Sequence, residues 1–132
     1  MNIRWSLWAP VFLYMALIFG VSSMSNPPEP PGALALLSDK ALHGILYAGL
    51  SALVVRALAG RLLGSVTGRM AALAIAVAAV YGATDELHQY FVPGRRMDVR
   101  DLVADVVGAA LAALGLYVVG RLTTRSRTTA GI

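Results

Sequence analysis

Ionisable and hydrogen-bonding side chains gather in three short stretches of this 132-residue sequence. The first stretch contains Asp39, Lys40, His43 and Tyr47, of which the acid, the histidine and the tyrosine follow one another at intervals of four residues. Residues four apart lie on the same face of a helix, so a helix here would align a carboxylate, an imidazole and a phenol. This spacing predicts a site that binds a ligand or handles protons.

The second stretch places two acids next to each other at the end of a long apolar run. Asp85 and Gln89 share a face of the predicted helix, whereas Glu86 projects about 100° away from that face. A carboxylate at membrane depth costs about 2.5 to 3.5 kcal/mol on insertion scales, so adjacent acids cannot both face lipid. We therefore expect Asp85 and Glu86 to face other polar groups inside the protein.

The third stretch follows the turn signal Pro93-Gly94 and begins with two arginines. Arg95 and Arg96 are followed by a stripe of acids in which Asp98, Asp101 and Asp105 fall at i, i+3 and i+7. That spacing predicts one acidic face on a helix. Guanidinium groups pair well with phosphate and carboxylate oxygens, so the arginines are candidate anion ligands.

These residue types predict separate roles within one site. The predicted catalytic residues are His43, Glu86, Asp85 and Asp101, and among them His43 or Glu86 would handle protons. The predicted ligand-binding residues are Asp39, Lys40, Tyr47, Gln89, Arg95, Arg96 and Asp105. Some of these acids and His43 could ligate Mg, Mn or Zn, but no dense motif such as His-Glu-x-x-His is present. The sequence therefore predicts no metal and no cofactor.

The composition excludes a soluble or disordered chain. Apolar residues make up 58% of the sequence and charged residues only 14%, too few to coat a water-soluble surface. Cysteine is absent, which excludes disulfides, thiolate metal sites and cysteine nucleophiles. The sequence predicts an all-α, polytopic membrane protein, a bundle of four transmembrane helices.

The four spans form a single predicted domain over residues 1–132, with helices at about 4–24, 38–59, 69–91 and 98–121. Four prolines and a glycine between Ser25 and Gly32 predict the first loop, and Ala59 to Gly68 is the second. The tail beyond Arg121 is predicted to be short and basic. Glycines suited to close helix contact, and to a possible homodimer, are Gly44, Gly82, Gly108 and Gly115.

Charges divide by side if each span reverses the direction of the chain. One side has seven arginines and no acid: Arg4, Arg56, Arg61, Arg69, Arg121, Arg125 and Arg127. The positive-inside rule then predicts that both termini are cytoplasmic in a multi-pass protein of the inner or plasma membrane. The net charge of +4 reflects this orientation and calls for no nucleic-acid partner. In an alternative reading, Met1 to Ser25 is a secretory signal, although its apolar core is long for one.

The combined pattern resembles the VanZ-like family. It consists of Asp39-Lys40-x-x-His43-x-x-x-Tyr47, then Asp85-Glu86-x-x-Gln89-x-Phe91-x-Pro93-Gly94-Arg95, then Asp101-x-x-x-Asp105-x-x-Gly108. The likeness runs from about Ser38 to Gly115, and it departs at Asp105, where the family often has Asn. The resemblance implies a small cell-envelope membrane protein connected with susceptibility to glycopeptides such as teicoplanin.

Several functions fit these residues. The site could bind a lipid-linked or amphiphilic anion, such as an envelope precursor or an acyl glycopeptide. The other predicted partners of the protein are membrane lipids. The protein could also act as an enzyme on a lipid phosphate or glycolipid, or as a proton-coupled lipid transporter. In the structural alternative, Lys40, Arg95, Arg96 and Arg100 pair with the acids and merely tie three helices together.

Overall fold

A computed structural model describes residues 4–61 and 65–130, which contain helices and no strand. The elements are α1 (Trp5–Ser22), a short 3₁₀ helix (Gly32–Leu36), α2 (Asp39–Ala59), α3 (Gly68–Tyr90) and α4 (Val99–Ala130). The four α-helices are long and apolar enough to cross a membrane. This confirms the all-α fold class and the four predicted spans, whereas the orientation of the termini stays a prediction.

Local sequence signals explain where α2 and α3 begin and where α2 ends. The hydroxyl groups of Ser38 and Thr67 each accept a hydrogen bond from the backbone amide three residues later, at 3.2 Å. These caps satisfy amides that have no partner within the helix. Gly60 ends α2 with a φ of 77°, a left-handed conformation that glycine adopts easily. Residues 62–64 of the predicted second loop lie outside the described residues.

The connection between α3 and α4 contains a tight turn at the predicted Pro93-Gly94 pair. The amide of Arg95 donates to the carbonyl of Val92 at 3.1 Å, which closes a four-residue turn. Gly94 has a φ of 79°, as a type II turn with proline before it requires. The turn brings the chain back to the bundle within a few residues of the end of α3.

The fourth helix is longer than predicted. It was expected to end at about Arg121, but it continues to Ala130. The extension contains neither glycine nor proline, and hydroxyl groups of Thr124 and Thr128 donate to carbonyl groups one turn earlier, at 2.8 and 3.1 Å. Its arginines, including Arg127 in the last turn, suit the negative end of a helix dipole. Hydropathy marks the membrane-crossing part of a helix and does not mark its end in water.

The helices run alternately up and down, with α2 and α4 in close backbone contact. A Cβ atom added to Gly108 would collide with the carbonyl group of Gly44, so these two glycines allow the contact. Hydrogen bonds from tyrosines attach α1: Tyr14 donates to the carbonyl of Leu46 at 2.9 Å, and Tyr81 donates to a carbonyl of α1 at 2.5 Å. As predicted, Gly44 and Gly108 lie at a helix contact, whereas Gly115 has open space beside it.

The outer surface of the bundle is apolar. Large side chains such as Leu13, Val80 and Leu111 are more than half exposed, and at most a third of each span is buried inside the protein. In water this surface would be unfavourable, but in a bilayer it faces acyl chains. The polar groups inside one end of the bundle are therefore the feature that needs a separate explanation.

Candidate functional site

The three polar stretches meet at one end of the bundle, where α1 and α3 end and α2 and α4 begin. We call this the acidic end, because all seven acids lie on this side. They are Glu29, Asp39, Asp85, Glu86, Asp98, Asp101 and Asp105. Four of the acids are buried, namely Asp85, Glu86, Asp101 and Asp105. The structure thus brings together the ends of all four helices around buried carboxylates.

Lys40 connects α2 to the start of α4. Its ammonium group donates to Asp98 at 2.9 Å and to Asp101, and it lies 3.9 Å from the exposed carboxylate of Asp39. Asp98 also caps α4 by accepting from the amide of Arg100 at 2.8 Å. The hydrogen bond from Lys40, followed by the one from this amide, lowers the pKa of Asp98 below its ordinary value.

One turn further along α2, His43 faces two acids of α4. Its Nδ1 atom lies 3.0 Å from Oδ1 of Asp105, which is 0% exposed, and its Nε2 atom lies 3.8 Å from Oδ2 of Asp101. Tyr47, another turn deeper, is buried beside Gly82. The predicted row of Asp39, His43 and Tyr47 therefore runs from the surface into the bundle.

The acids of α3 have different partners. Asp85 accepts a hydrogen bond from the hydroxyl group of Ser22 at 2.9 Å, and Gln89 lies 3.4 Å from both of these side chains. Glu86 accepts at 2.9 Å from the backbone amide of Asp98, just before α4 begins. The two neighbouring carboxylates thus attach α3 to α1 and to α4, and neither faces lipid.

Four buried polar atoms at this end have no hydrogen-bond partner among the described residues. They are the hydroxyl group of Tyr47, Oδ1 of Asp85, Oε1 of Glu86 and Oδ2 of Asp105. A buried polar atom without a partner costs about 1 to 3 kcal/mol, and more if it is charged. A second binding partner for these atoms would remove that cost.

The absence of a side chain at Gly82 allows close packing beside one of these atoms, Oδ2 of Asp105. A Cβ atom at Gly82 would lie 3.1 Å from Oδ2 of Asp105 and 3.3 Å from the ring of Tyr47. Both distances are tighter than ordinary van der Waals contact. Gly82 therefore allows α3 to approach α4 at the level of the buried carboxylate.

The arginine ion pairs of the structural alternative are absent from the described residues. Lys40 pairs with acids, but Arg95, Arg96 and Arg100 have no carboxylate within ion-pair distance. The structural alternative therefore lacks its arginine contacts, because Arg95 and Arg96 lie on the connection between α3 and α4, whereas the buried acids lie between the helices. Among the described residues, the acids that connect the helices therefore have only Lys40 and His43 as basic partners.

Two groups of side chains have the composition of a metal site. Asp39, His43 and Asp101 form one, which we call the outer group, and His43, Glu86 and Asp105 form the inner group. Within each group, one candidate ligand atom from every residue lies within 4.8 Å of the others. An imidazole with two carboxylates suits several divalent metals. The prediction of no metal stays a prediction.

Sequence reasoning missed Ser22 as a residue of this site and gave Asp98 no role in it. Ser22 contacts the buried pair of Asp85 and Gln89, but a serine at the end of an apolar span gives no particular signal. Asp98 was recognised as part of the acidic stripe, yet its contacts with Lys40 and Glu86 make it a junction between three helices. Its position directly before α4 was the available sign of a cap.

A cavity of about 770 Å³ lies at the other end of the bundle. It is lined by the start of α3 and the end of α4, including Tyr117, Arg121 and Arg125, and no acid lines it. The guanidinium of Arg121 lies 5.6 Å from the ring centroid of Tyr117. The cavity and the buried carboxylates thus lie at opposite ends of the bundle.

The four apolar helices and the buried polar cluster define a multi-pass α-helical membrane protein with a charged site at one end. The model of the VanZ/LLP1 family matches residues 8–120, so the chain belongs to that family, which confirms the resemblance seen in the sequence. No curated protein and no solved structure matches the chain. The family and the four spans support a membrane location, whereas the site residues rest on the geometry alone.

Proposed function

We propose that this protein lies in the plasma or inner membrane and binds an amphiphilic anion, such as a lipid-linked phosphate, at its acidic end. The observation that carries the proposal concerns Arg95 and Arg96. Both lie on the connection between α3 and α4, two and three residues before Asp98, and we call this connection the rim of the acidic end; no described carboxylate pairs with either arginine. A guanidinium can hold two oxygens of a phosphate group at once, so this rim is suited to an anionic headgroup.

Apolar side chains beside the arginines suit the other half of an amphiphile. Phe91, Met97 and Val99 are 73%, 51% and 65% exposed. They flank the arginines in sequence, at the junction between the connection and the lipid-facing helices. A headgroup held by Arg95 and Arg96 would leave its acyl or prenyl chain against these residues and the membrane.

Lys40 has a different part in this proposal from the one predicted. Its ammonium group already donates to Asp98 and Asp101, so those contacts would have to open before it could hold a ligand. We therefore assign anion binding to the arginines and assign Lys40 to the support of the helix ends. The positive-inside rule supports an extracytoplasmic acidic end, since the seven arginines without acids lie at the opposite end.

Binding of a polyprenyl phosphate to the purified protein in nanodiscs tests the proposal, with the uncharged polyprenol as the ligand control. The double variant Arg95→Gln/Arg96→Gln should weaken phosphate binding by about tenfold or more, because two charge-assisted contacts are lost. The matched control Arg125→Gln/Arg127→Gln removes the same charge from the other end and should bind as the native protein does. Equal loss in both double variants, or equal affinity for the polyprenol, would contradict the proposal.

An acyl glycopeptide provides the second arm of the same experiment, because it joins an apolar tail to a different headgroup. The resemblance to the VanZ-like family implies a connection with susceptibility to such molecules, so teicoplanin is the appropriate probe. If teicoplanin binds and the polyprenyl phosphate does not, the natural anion belongs to the glycopeptide class. Cells expressing the protein should then tolerate more teicoplanin than cells expressing the Arg95→Gln/Arg96→Gln variant.

Hydrolysis of a bound lipid phosphate is a second candidate function, and the contact between His43 and Asp105 favours it. A fully buried carboxylate 3.0 Å from an imidazole nitrogen fixes the orientation of the ring and stabilises its protonated form. His43 could then accept a proton from a water molecule that attacks phosphorus, and could return that proton to the polyprenol oxygen as its bond to phosphorus breaks. Release of inorganic phosphate from the lipid probe, abolished by His43→Gln with binding retained, would identify an enzyme. Binding without release would identify a binding protein.

A further inference from the structure

Two groups of metal-ligating side chains share His43, and their other members differ. In the outer group, the side chain of Asp39 is 75% exposed and Asp101 already accepts from Lys40. In the inner group, Glu86 is 3% and Asp105 is 0% exposed. Exposed acids commonly occur without a metal, whereas buried carboxylates need a compensating charge. The inner group is therefore the stronger candidate.

The hydrogen bonds at the inner group leave one oxygen of each carboxylate unused. Oε2 of Glu86 accepts from the amide of Asp98, and Oδ1 of Asp105 lies against His43, but Oε1 and Oδ2 have no partner among the described residues. These two unused oxygens belong to side chains that are more than nine-tenths buried. They are an observation independent of the grouping of acids, and a donor or a cation would satisfy them.

Nearby positive charge does not reach these oxygens. Lys40 pairs with Asp39, Asp98 and Asp101, and in the described chain no ion pair joins a lysine or arginine to Glu86 or Asp105. His43 can supply one positive charge only if it is protonated. Two carboxylates and one imidazole, with ligand atoms within 4.8 Å of one another, form a compact set of oxygen and nitrogen donors.

We propose that His43, Glu86 and Asp105 bind one divalent metal ion of the Mn²⁺ or Zn²⁺ class. This donor set suits these ions, because imidazole favours transition metals and carboxylates favour hard cations such as Mn²⁺. Three protein ligands leave room in the coordination shell for oxygens of another molecule. The inference rests on the proposed function in one respect: the ion would add positive charge beneath the arginine rim and attract the same anionic headgroup.

Titration of the purified, chelator-treated protein with Mn²⁺ alone, followed by the electron paramagnetic resonance signal of free Mn²⁺, tests the site without any lipid. One Mn²⁺ should bind per native chain, and added Zn²⁺ should compete with it. Glu86→Gln and Asp105→Asn keep the shape of each side chain and should each weaken binding by about tenfold or more, since even residues behind the ligands matter that much. Circular dichroism shows whether each variant remains folded.

Two control variants decide whether the inner group is the site. Glu29→Gln makes the same chemical change in the exposed first loop and should leave Mn²⁺ binding unchanged. Asp39→Asn removes a ligand of the outer group and should also have little effect. If native protein binds no Mn²⁺ or Zn²⁺, or if Glu29→Gln weakens binding as much as Glu86→Gln does, the inner-group site is refuted. If Asp39→Asn abolishes binding while Glu86→Gln does not, the outer group binds the ion and the proposal is equally refuted.

Failure of the metal site and failure of anion binding give different results. If the native protein binds the polyprenyl phosphate but neither Mn²⁺ nor Zn²⁺, the metal proposal is refuted and the anion proposal stands. Stoichiometric Mn²⁺ binding in protein that does not bind the lipid phosphate would support the metal site and contradict the proposed function. If both are correct, Mn²⁺ should strengthen lipid-phosphate binding to the native protein and not to Glu86→Gln.

Discussion

The two ends of the bundle carry opposite charges and satisfy their polar groups in different ways. At the acidic end, carboxylates from α3 and α4 lie buried between helices and meet Lys40 and His43. At the basic end, all the arginines except the half-buried Arg56 lie at exposed positions, and hydroxyl groups such as that of Thr124 donate to their own helix. The buried unpartnered atoms of the described chain all belong to helix segments at or near the acidic end.

This difference suggests that the basic end sets the orientation of the protein in the membrane, whereas the acidic end contains the groups that could bind a ligand. Exposed arginines need only water or lipid headgroups, so the basic end can hold the protein in the membrane without a defined geometry. Buried carboxylates need particular partners at particular distances, and four helix ends supply them. A ligand or ion that satisfies the remaining atoms would bind at the acidic end, although the described cavity lies at the other.

Labelling of single cysteines gives an all-or-none test of which end faces outward, since the native chain has no cysteine. Glu29→Cys in the first loop marks the acidic end and Ser126→Cys marks the basic end. A membrane-impermeant maleimide should label Glu29→Cys on intact cells or spheroplasts, and Ser126→Cys only after permeabilisation. The reverse pattern would place the acidic end in the cytoplasm and contradict an extracytoplasmic site.

A single added methyl group should distinguish the packing of the two halves of α4. Gly108→Ala forces a Cβ atom into the carbonyl group of Gly44, and we expect a destabilisation of roughly 1 to 3 kcal/mol or more. Gly115→Ala places the same atom in open space nearer the basic end and should not destabilise the protein. Thermal unfolding in detergent measures both. Equal effects would show that the contact between α2 and α4 does not control stability.

The sequence was sufficient to predict the elements because their signals are local. Predicted bounds of 38–59 and 69–91 compare with Asp39–Ala59 and Gly68–Tyr90, where Ser38, Thr67 and Gly60 mark helix limits. The end of α4 was missed because hydropathy falls when a helix leaves the membrane, even if the helix continues. Local signals thus locate spans better than they locate the ends of exposed helices.

Which side chains pair within the site depends on contacts between distant parts of the chain. Sequence spacing cannot show which of several candidate partners an acid contacts. Charge pattern indicated which helix ends would meet, and the acids of α3 and α4 do meet His43 and Lys40. The pattern also suggested arginines as partners, because it contains no information on where a connection directs its side chains. The role of Ser22 could not be predicted for a related reason. It depends on a hydrogen bond to Asp85 of α3, a helix that is distant from Ser22 in sequence.

Removing one hydroxyl group at each end should show how unequal their polar contacts are. Ser22→Ala removes a donor from the buried carboxylate of Asp85, and we expect a cost of about 1 to 3 kcal/mol. Ser126→Ala removes an exposed hydroxyl group that donates to its own helix at 3.2 Å, and the stability should change little. Chemical denaturation in detergent compares the two variants. A Ser22→Ala variant as stable as the native protein would mean that Asp85 does not depend on this contact.

The smallest expected effect is acid-dependent and concerns Asp98. Lys40 and the amide of Arg100 hold the pKa of Asp98 below its ordinary value, so its charge stabilises the folded protein above that value. This contribution should disappear as the pH falls through the lowered pKa. Asp98→Asn removes the charge but keeps a residue that caps helices well, which isolates the charge from the cap.

The measurement is the difference in unfolding temperature between native protein and Asp98→Asn, from about pH 7 to about pH 3. We expect a small advantage for the native protein at neutral pH that shrinks towards acid, and a larger loss at neutral pH for Asp98→Ala, which also lacks the cap. Arg125→Gln at the basic end should show no such acid dependence, because no described acid pairs with Arg125. A native advantage that grows towards acid would mean that the charge of Asp98 destabilises the fold. In that case the surplus of carboxylates around it would outweigh the contact with Lys40, and the need for a further cation at this end would be greater.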